Sequence, residues 1–389
     1  MIRVYLRMVA CAAIFSLNLS GRMNETYYVD ETQHRRLDQE SSLFSIDRLP
    51  LAVAQTWIMY NRLPKAGSST AMYYLMKCDR HTTDTTVWPI INPHYVEQSR
   101  HGLMGSTRGY GEKLRKRLKE YPYVLTIQHS YYTNFSKIDE YNGISQPQYI
   151  NIYRDPISQS ASHTDYLISE TRGETLAHLV KKEKQLRGKK GICGCADLTH
   201  KECVLTAEER GCERINWYLR DETIRYLCGW QDDMDVCYQV THSKRAYELA
   251  RDHLYNYVFV GLTEHYDLSI QVFRSMFPKF FCLEKKVKKE YATKRDRSEN
   301  TDMEYRRLLA SFEGNQWDFK LHLHIVCLFW SRVLRDGYDL SSEPLNSVDK
   351  LVITELNKIQ RLSCDWIESF PHPKDYSPDQ QKYLWPYIP

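Results

Sequence analysis

The stretch Thr56-Trp57-Ile58-Met59-Tyr60-Asn61-Arg62-Leu63-Pro64-Lys65-Ala66-Gly67-Ser68-Ser69-Thr70 decides the fold. It opens on a run of β type, Thr56 to Tyr60, and breaks at Asn61-Arg62-Leu63-Pro64. A turn of small residues follows, and Ala71 to Met76 then resumes with helical character. A buried strand that passes through a Gly/Ser/Thr turn into a helix has the form of a phosphate cradle. Backbone N–H groups and hydroxyls gather there at a helix N-terminus, whose dipole favours anions. Gly67 permits close backbone approach, Ser68, Ser69 and Thr70 offer amides and hydroxyls, and Lys65 adds charge. The order is not that of a Walker A loop, in which the lysine follows the second glycine; here it precedes the only one.

Three more runs read as buried strands: Tyr123 to Ile127, Gln148 to Tyr153, and Tyr257 to Leu262. The second closes at Arg154-Asp155-Pro156, after which Ile157, Ala161, Tyr166 and Leu167 indicate a helix. The third is followed by a helical stretch from Asp267 to Phe277. Short apolar strands alternating with helices predict an α/β fold with a central parallel sheet flanked by helices. The composition agrees: 389 residues with 42% hydrophobic, 26% charged and a net charge of +4 are those of a globular chain, not a collagenous, disordered or multipass membrane protein. No apolar run reaches the roughly 18 residues of a spanning helix. The predicted organisation is an amino-terminal segment 1–20, a polar stem 21–52, a main domain 53–345 with a Cys- and Lys/Arg-rich insertion at 170–245, and a carboxy-terminal tail 346–389. His322 and His324 alternate within an apolar helical stretch and read as structural.

The amino terminus places Arg3 and Arg7 before the apolar run Met8 to Leu19, the charged and apolar regions of a signal sequence or signal-anchor. A buried amphipathic helix is the other reading. Asn24-Glu25-Thr26 and Asn134-Phe135-Ser136 are glycosylation sequons, and six of the 11 cysteines fall between Cys193 and Cys237. A core of this size needs no staples, and the cluster lacks any C-x₂-C zinc knuckle. In an oxidising lumen it means disulfides, so a secretory-pathway protein is expected.

Arg154 ends a buried strand, where a guanidinium can hold a second phosphate, and Ser162 lies eight residues on in the following helix. Together with the Lys65 turn, these residues resemble the 5′-phosphosulfate loop and the 3′-phosphate element of sulfotransferases that use 3′-phosphoadenosine 5′-phosphosulfate (PAPS). The chain further resembles the glycosaminoglycan uronyl 2-O-sulfotransferases. The resemblance rests on Tyr60 to Lys65, His129-Ser130-Tyr131-Tyr132-Thr133-Asn134-Phe135, Arg154-Asp155-Pro156-Ile157, Lys201-Glu202-Cys203-Val204, Tyr226-Leu227-Cys228-Gly229, Phe259-Val260-Gly261-Leu262-Thr263-Glu264 and Asn315-Gln316-Trp317. These marks run in family order from about residue 55 to 335.

The resemblance implies a P-loop-like sulfotransferase fold and transfer of sulfonate from PAPS to a uronic acid 2-hydroxyl in heparan, dermatan or chondroitin sulfate. It assigns His129 as the base and Lys65 to the sulfonyl and leaving-group charge. Lys65, Ala66, Gly67, Ser68, Ser69 and Thr70 would hold the 5′ side of the donor, Arg154 and Ser162 the 3′-phosphate, and Arg62 the anionic substrate. It also implies disulfides Cys203–Cys212 and Cys228–Cys237, no metal, a lumenal catalytic domain anchored in the Golgi membrane as a single-pass type II protein, and a homotrimer. The family usually has a histidine where this chain has Ile127 and an arginine where it has Gln159. Glu264 matches a family position without an assigned role. A glycan-binding protein of the same fold without turnover is the alternative.

Basic residues number five of seven at Lys113–Lys119, six of ten at Lys181–Lys190 and seven of thirteen at Lys285–Arg297. Such runs predict a track for a polyanion. Nucleic acid would suit the charge but not a lumen. An anionic glycosaminoglycan suits both, with Lys189 and Lys190 among its expected contacts.

Overall fold

Parallel strands covered on both sides need side chains that are apolar in both directions. Strands β1 (Thr56–Asn61), β3 (Tyr123–Gln128), β4 (Gln148–Tyr153) and β5 (Tyr257–Leu262) meet that need. With β2 (Thr85–Pro89) they form one all-parallel sheet in the order β2-β3-β1-β4-β5. The computed structural model describes residues 56–67, 70–72, 75, 85–89, 110–137, 142–163, 200–206, 209, 222–229, 236–237, 244–281, 314–341, 343–359 and 363–369. All lie in one compact unit, Ala54–Pro389. The expected anchor 1–20, the stem 21–52, most of the stretch 170–245 and the end of the tail fall outside the described residues. Among the described residues no helix is long and apolar enough to cross a membrane.

β2 is the strand that the sequence reading did not find. Its five residues end in Pro89, which cannot donate to a ladder and is tolerated on an edge strand, where the sheet order places it. The central strands carry a polar seam inside the sheet. Asn151 Nδ2 donates to the Asn61 carbonyl at 2.6 Å, Asn61 Nδ2 to the Tyr257 hydroxyl at 2.6 Å, and Trp57 Nε1 to Thr126 Oγ1 at 3.1 Å. Buried polar groups are tolerable only when bonded in this way.

The helices are α1 (Tyr110–Glu120), α2 (His200–Leu205), α3 (Glu222–Cys228), α4 (Lys244–Leu254), α5 (Tyr266–Met276), α6 (Gly314–Arg335) and α7 (Ser347–Ile359). In α1, Leu114 and Leu118 lie one turn apart and are buried, while Lys113, Lys116 and Lys119 of the first basic run are exposed. α5 packs closely on β5 because Gly261 has no side chain: a Cβ there would lie 2.9 Å from that of Ser269. Ser269 Oγ in turn accepts the Leu262 N–H at 2.8 Å. Within the stretch read as an insertion, α3 is buried at every position and packs on α4 and α6.

α6 packs on β5, α3, α4 and α7, and its Phe329, Trp330 and Val333 are fully buried. α7 returns Val348, Val352 and Leu356 to the core, so the boundary drawn at residue 345 separates two elements that pack together. A Cys327–Cys364 disulfide, for which the sequence offered no pairing, fixes the short 3-10 turn Asp365–Ser369 to α6. Cys228 is bonded to Cys237. Cys203 lies in α2 without a described side chain, and Cys212 lies outside the described residues.

Candidate active site

The strand order fixes where a ligand can sit. From the central β1 the chain leaves toward β2 on one side, and from its neighbour β4 it leaves toward β5 on the other. The carboxyl ends of β1 and β4 therefore flank the crevice in which open α/β sheets bind ligands. The turns after β1, β3, β4 and β5 carry Arg62 and Lys65, His129, Arg154, and Glu264 respectively.

The turn after β1 is held in an uncommon shape. Lys65 has a φ of 60° and Gly67 a φ of 71°. The left-handed region costs a non-glycine residue roughly 1–2 kcal/mol, and such strain is retained where surrounding structure imposes it. Arg154 supplies part of that structure, since its Nη1 donates to the Lys65 carbonyl at 3.2 Å across the β1–β4 crevice. Gly67 sits against Tyr266 and Thr263, which a Cβ would approach to 3.3 and 3.6 Å. Its carbonyl accepts the Thr70 N–H at 3.1 Å and the Ala71 N–H at 3.4 Å, so the helix starts at the end of this turn. Ala66 is buried. Ser68 and Ser69 lie outside the described residues, as do Lys189, Lys190 and Asn24.

His129 follows β3 directly, and its Nδ1 is 3.0 Å from the Arg62 carbonyl. A carbonyl only accepts, so Nδ1 carries the hydrogen and the lone pair of the neutral ring resides on Nε2. Burial, and then the charge of Arg62, push the His129 pKa down to about 3, against the bond to the Arg62 carbonyl; His163 adds to the depression. The ring is therefore unprotonated near neutrality and presents Nε2 as a base. Burial likewise lowers the Arg62 pKa, partly offset by Tyr60 and Tyr226. Arg62 Nη1 also approaches Met72 Sδ at 3.3 Å.

Arg154 is half-buried at the end of β4, and Asp155 is fully buried behind it. Asp155 caps the helical residues 156–163: Oδ1 accepts the Ser158 N–H at 2.7 Å and the backbone carbonyl accepts the Gln159 N–H at 2.8 Å. Arg-Asp-Pro thus combines a strand end, an N-cap and a half-buried cation turned to the β1 turn. Ser162, on the same helix, is half-buried. Asn134 lies in the turn after His129, where its Oδ1 accepts from Ser136 Oγ at 2.6 Å and Gln146 Nε2 at 2.8 Å.

One group was invisible in the sequence. His163 Nδ1 lies 2.9 Å from Glu222 Oε1, Gln159 Nε2 donates to Glu222 Oε2 at 3.2 Å, and Thr223 Oγ1 donates to Gln159 Oε1 at 3.4 Å. The backbone of α3 is tied to the same cluster through Asp318 of α6, which accepts the Ile224 N–H at 2.9 Å. Gln159 is consumed in this buried network, and Ile127 is buried in β3. About sixty residues separate His163 from Glu222, so no local spacing could have signalled the pair. His322 and His324 are buried in α6; His324 lies 3.0 Å from the Tyr247 hydroxyl and 3.1 Å from that of Tyr255.

Arg62, Lys65, His129 and Arg154 thus share one edge of the sheet, where three cations and a neutral imidazole can hold an anion and take a proton. Among the described residues no cluster of His, Cys, Asp or Glu could hold a metal ion. No protein-family model and no curated protein matches the chain.

Proposed function

We propose that this chain is a PAPS-dependent glycosaminoglycan 2-O-sulfotransferase, acting on a uronic acid of heparan, dermatan or chondroitin sulfate. The observation that carries the reading is the turn after β1, whose left-handed Lys65 has its carbonyl braced by Arg154 and whose Arg62 carbonyl holds the imidazole of His129. The donor set fits PAPS, which has anionic groups at both ends: Lys65, Gly67 and Thr70 would hold the 5′ side, and Arg154 with Ser162 the 3′-phosphate. When bound, PAPS supplies an activated sulfonyl group and a bisphosphate leaving group.

His129 Nε2 takes the proton of the uronate 2-hydroxyl as that oxygen bonds to sulfur. Burial keeps the ring neutral, and the Nδ1–H bond to the Arg62 carbonyl fixes the tautomer that leaves the lone pair on Nε2. Lys65 offsets charge that builds as the sulfur–oxygen bond to the 5′-phosphate breaks. Arg62 faces the carboxylate or sulfate groups of the acceptor, and the exposed lysines of α1 extend that attraction. The remaining parts of the proposal are a Golgi lumenal setting, an anchor at 1–20, glycosylation at Asn24 and Asn134, the Cys203–Cys212 bond and a homotrimer.

Binding of glycan without turnover is a second reading, favoured by Gln159 and Ile127. Gln159 is locked to Glu222 where the resemblance expects an arginine, and Ile127 is a core residue where it expects a histidine. Transfer of labelled sulfonate from PAPS to heparan, dermatan and chondroitin chains, followed by disaccharide analysis, separates the two. Label on uronate O2 is the expected result. Heparin binding by folded protein with no label on any chain would leave the non-catalytic reading.

A further inference from the structure

No step of the proposed transfer uses Glu264, yet it is bound to the turn that presents Arg154. The end of β5 grips the end of β4 through consecutive residues. Thr263 N and Thr263 Oγ1 both donate to the Tyr153 carbonyl, at 2.7 and 2.9 Å, and Glu264 Oε1 accepts the Asp155 N–H at 3.0 Å. Arg154 lies between these anchor points and reaches on to Lys65. The other oxygen of Glu264 is buried with no hydrogen-bond partner among the described residues, and so is Asp155 Oδ2. A buried carboxylate oxygen without a donor is costly when charged and far less so when the group carries a proton.

The surrounding charges act in both directions. Burial first, and then the charge of Asp155, push the Glu264 carboxyl up to about 7, against its N–H bonds and the pull of Arg154. His322 of α6 faces Asp155 and is itself held neutral, chiefly by burial. His265, next in sequence, is engaged with Glu343 and Asp349 instead.

We propose that Glu264 is a positioning residue for the anion-binding Arg154 turn: with its proton it holds the Asp155 N–H without opposing an anion at Arg154, and without its proton it sets a negative charge beside that anion. The inference rests on the reading that this edge takes the 3′-phosphate of PAPS, and it adds a pH-dependent control of donor affinity. A neutral carboxyl and an amide offer the same carbonyl acceptor, so Glu264→Gln keeps the bond to Asp155 and removes the titration. The phosphate of the ligand gains charge as pH rises, which by itself strengthens binding and cannot imitate the expected trend.

The test is binding of adenosine 3′,5′-bisphosphate to the full chain between pH 6 and 8.5. Wild type should bind about fivefold or more weakly at the upper end, the lower bound of a typical coupling between sites. Glu264→Gln should stay level or tighten slightly, and Glu264→Ala, which loses the acceptor, should bind weakly throughout. A level wild-type profile, or the same decline in the Gln variant, would overturn the inference and leave the donor reading standing. No binding of the bisphosphate at any pH would overturn both.

Discussion

His129 and His265 each follow a strand of the same sheet, and their surroundings drive them in opposite directions. His129 bonds to the backbone carbonyl of Arg62 and lies within reach of its charge. Burial and that charge deny it a proton. His265 is also buried, and burial alone would lower its pKa. Asp349 at 2.9 Å and Glu343 at 3.2 Å outweigh that effect and leave it raised. Asp349 in turn accepts the Trp330 Nε1–H at 2.9 Å and the Asn346 N–H at 3.0 Å, while the His265 ring stacks on Phe329. The α6–α7 region saturates its histidine with acids and bonds; the β1–β3–β4 edge leaves its histidine a lone pair. A side chain of one chemistry is driven toward or away from its protonated form according to the charges placed around it.

Removing the cation from the structural region should have the largest effect. Breaking a buried ion pair leaves charges uncompensated, so His265→Ala should cost about 3–5 kcal/mol in denaturant unfolding. The sign of the pH dependence follows from the raised pKa. The contribution of His265 is fully present below the unfolded value of about 6.5 and is lost as pH rises through the folded pKa. Wild type should therefore lose stability over that window, and the Ala variant should lack that component.

The disulfide of the same region comes next. Cys327 and Cys364 close a loop spanning 37 residues, so the double Ser variant should lose about 3–4 kcal/mol by the chain-entropy relation. Sulfonate transfer by the surviving folded fraction should change little, because neither cysteine lies in the turns after β1, β3, β4 or β5 that carry the proposed site. A selective loss of turnover there would erase the distinction between the two regions.

At the edge of the sheet the effects should reverse, with turnover falling and stability holding. Lys65→Ala should lower kcat for transfer by about 10²–10³-fold, the usual range for one electrostatic donor to a transition state. Alanine meets the same left-handed backbone demand, so the unfolding midpoint should stay close to wild type. The smallest effect is expected from pH itself. With the His129 pKa near 3, kcat should show no acid limb from this residue between pH 5 and 8. A limb centred near 6.5 would mean that the ring takes up a proton like an ordinary exposed histidine.

Much of this division was legible in the sequence, for identifiable reasons. β4 and β5 were bounded correctly because mainly apolar runs that stop at Arg154 and Thr263 have sharp edges. β1 and β3 each run one residue further than expected, to Asn61 and Gln128, since a polar residue can keep its place in the ladder. β2 escaped because a five-residue edge strand ending in proline carries little hydrophobic signal. Arg154 stood out as a cation closing a buried strand and Lys65 as the charge in a Gly/Ser/Thr turn, whereas His129 was singled out only through the family resemblance. The pairings His163–Glu222, His265–Asp349 and Cys327–Cys364 did not, because each joins residues distant in sequence, brought together only by the packing of α3, α6 and α7. Glu264 was visible as a match to a family position without a role, but its bond to Asp155 depends on the adjacency of β4 and β5.

The central claim is that His129 is the base of a sulfonate transfer, and single-turnover transfer from PAPS to heparan, dermatan and chondroitin chains by wild type and His129→Ala tests it most directly. The account predicts label at uronate O2 with wild type and a loss of about 10²–10⁴-fold in the Ala variant, with adenosine 3′,5′-bisphosphate binding unchanged. Transfer at an undiminished rate by the folded Ala variant would contradict it.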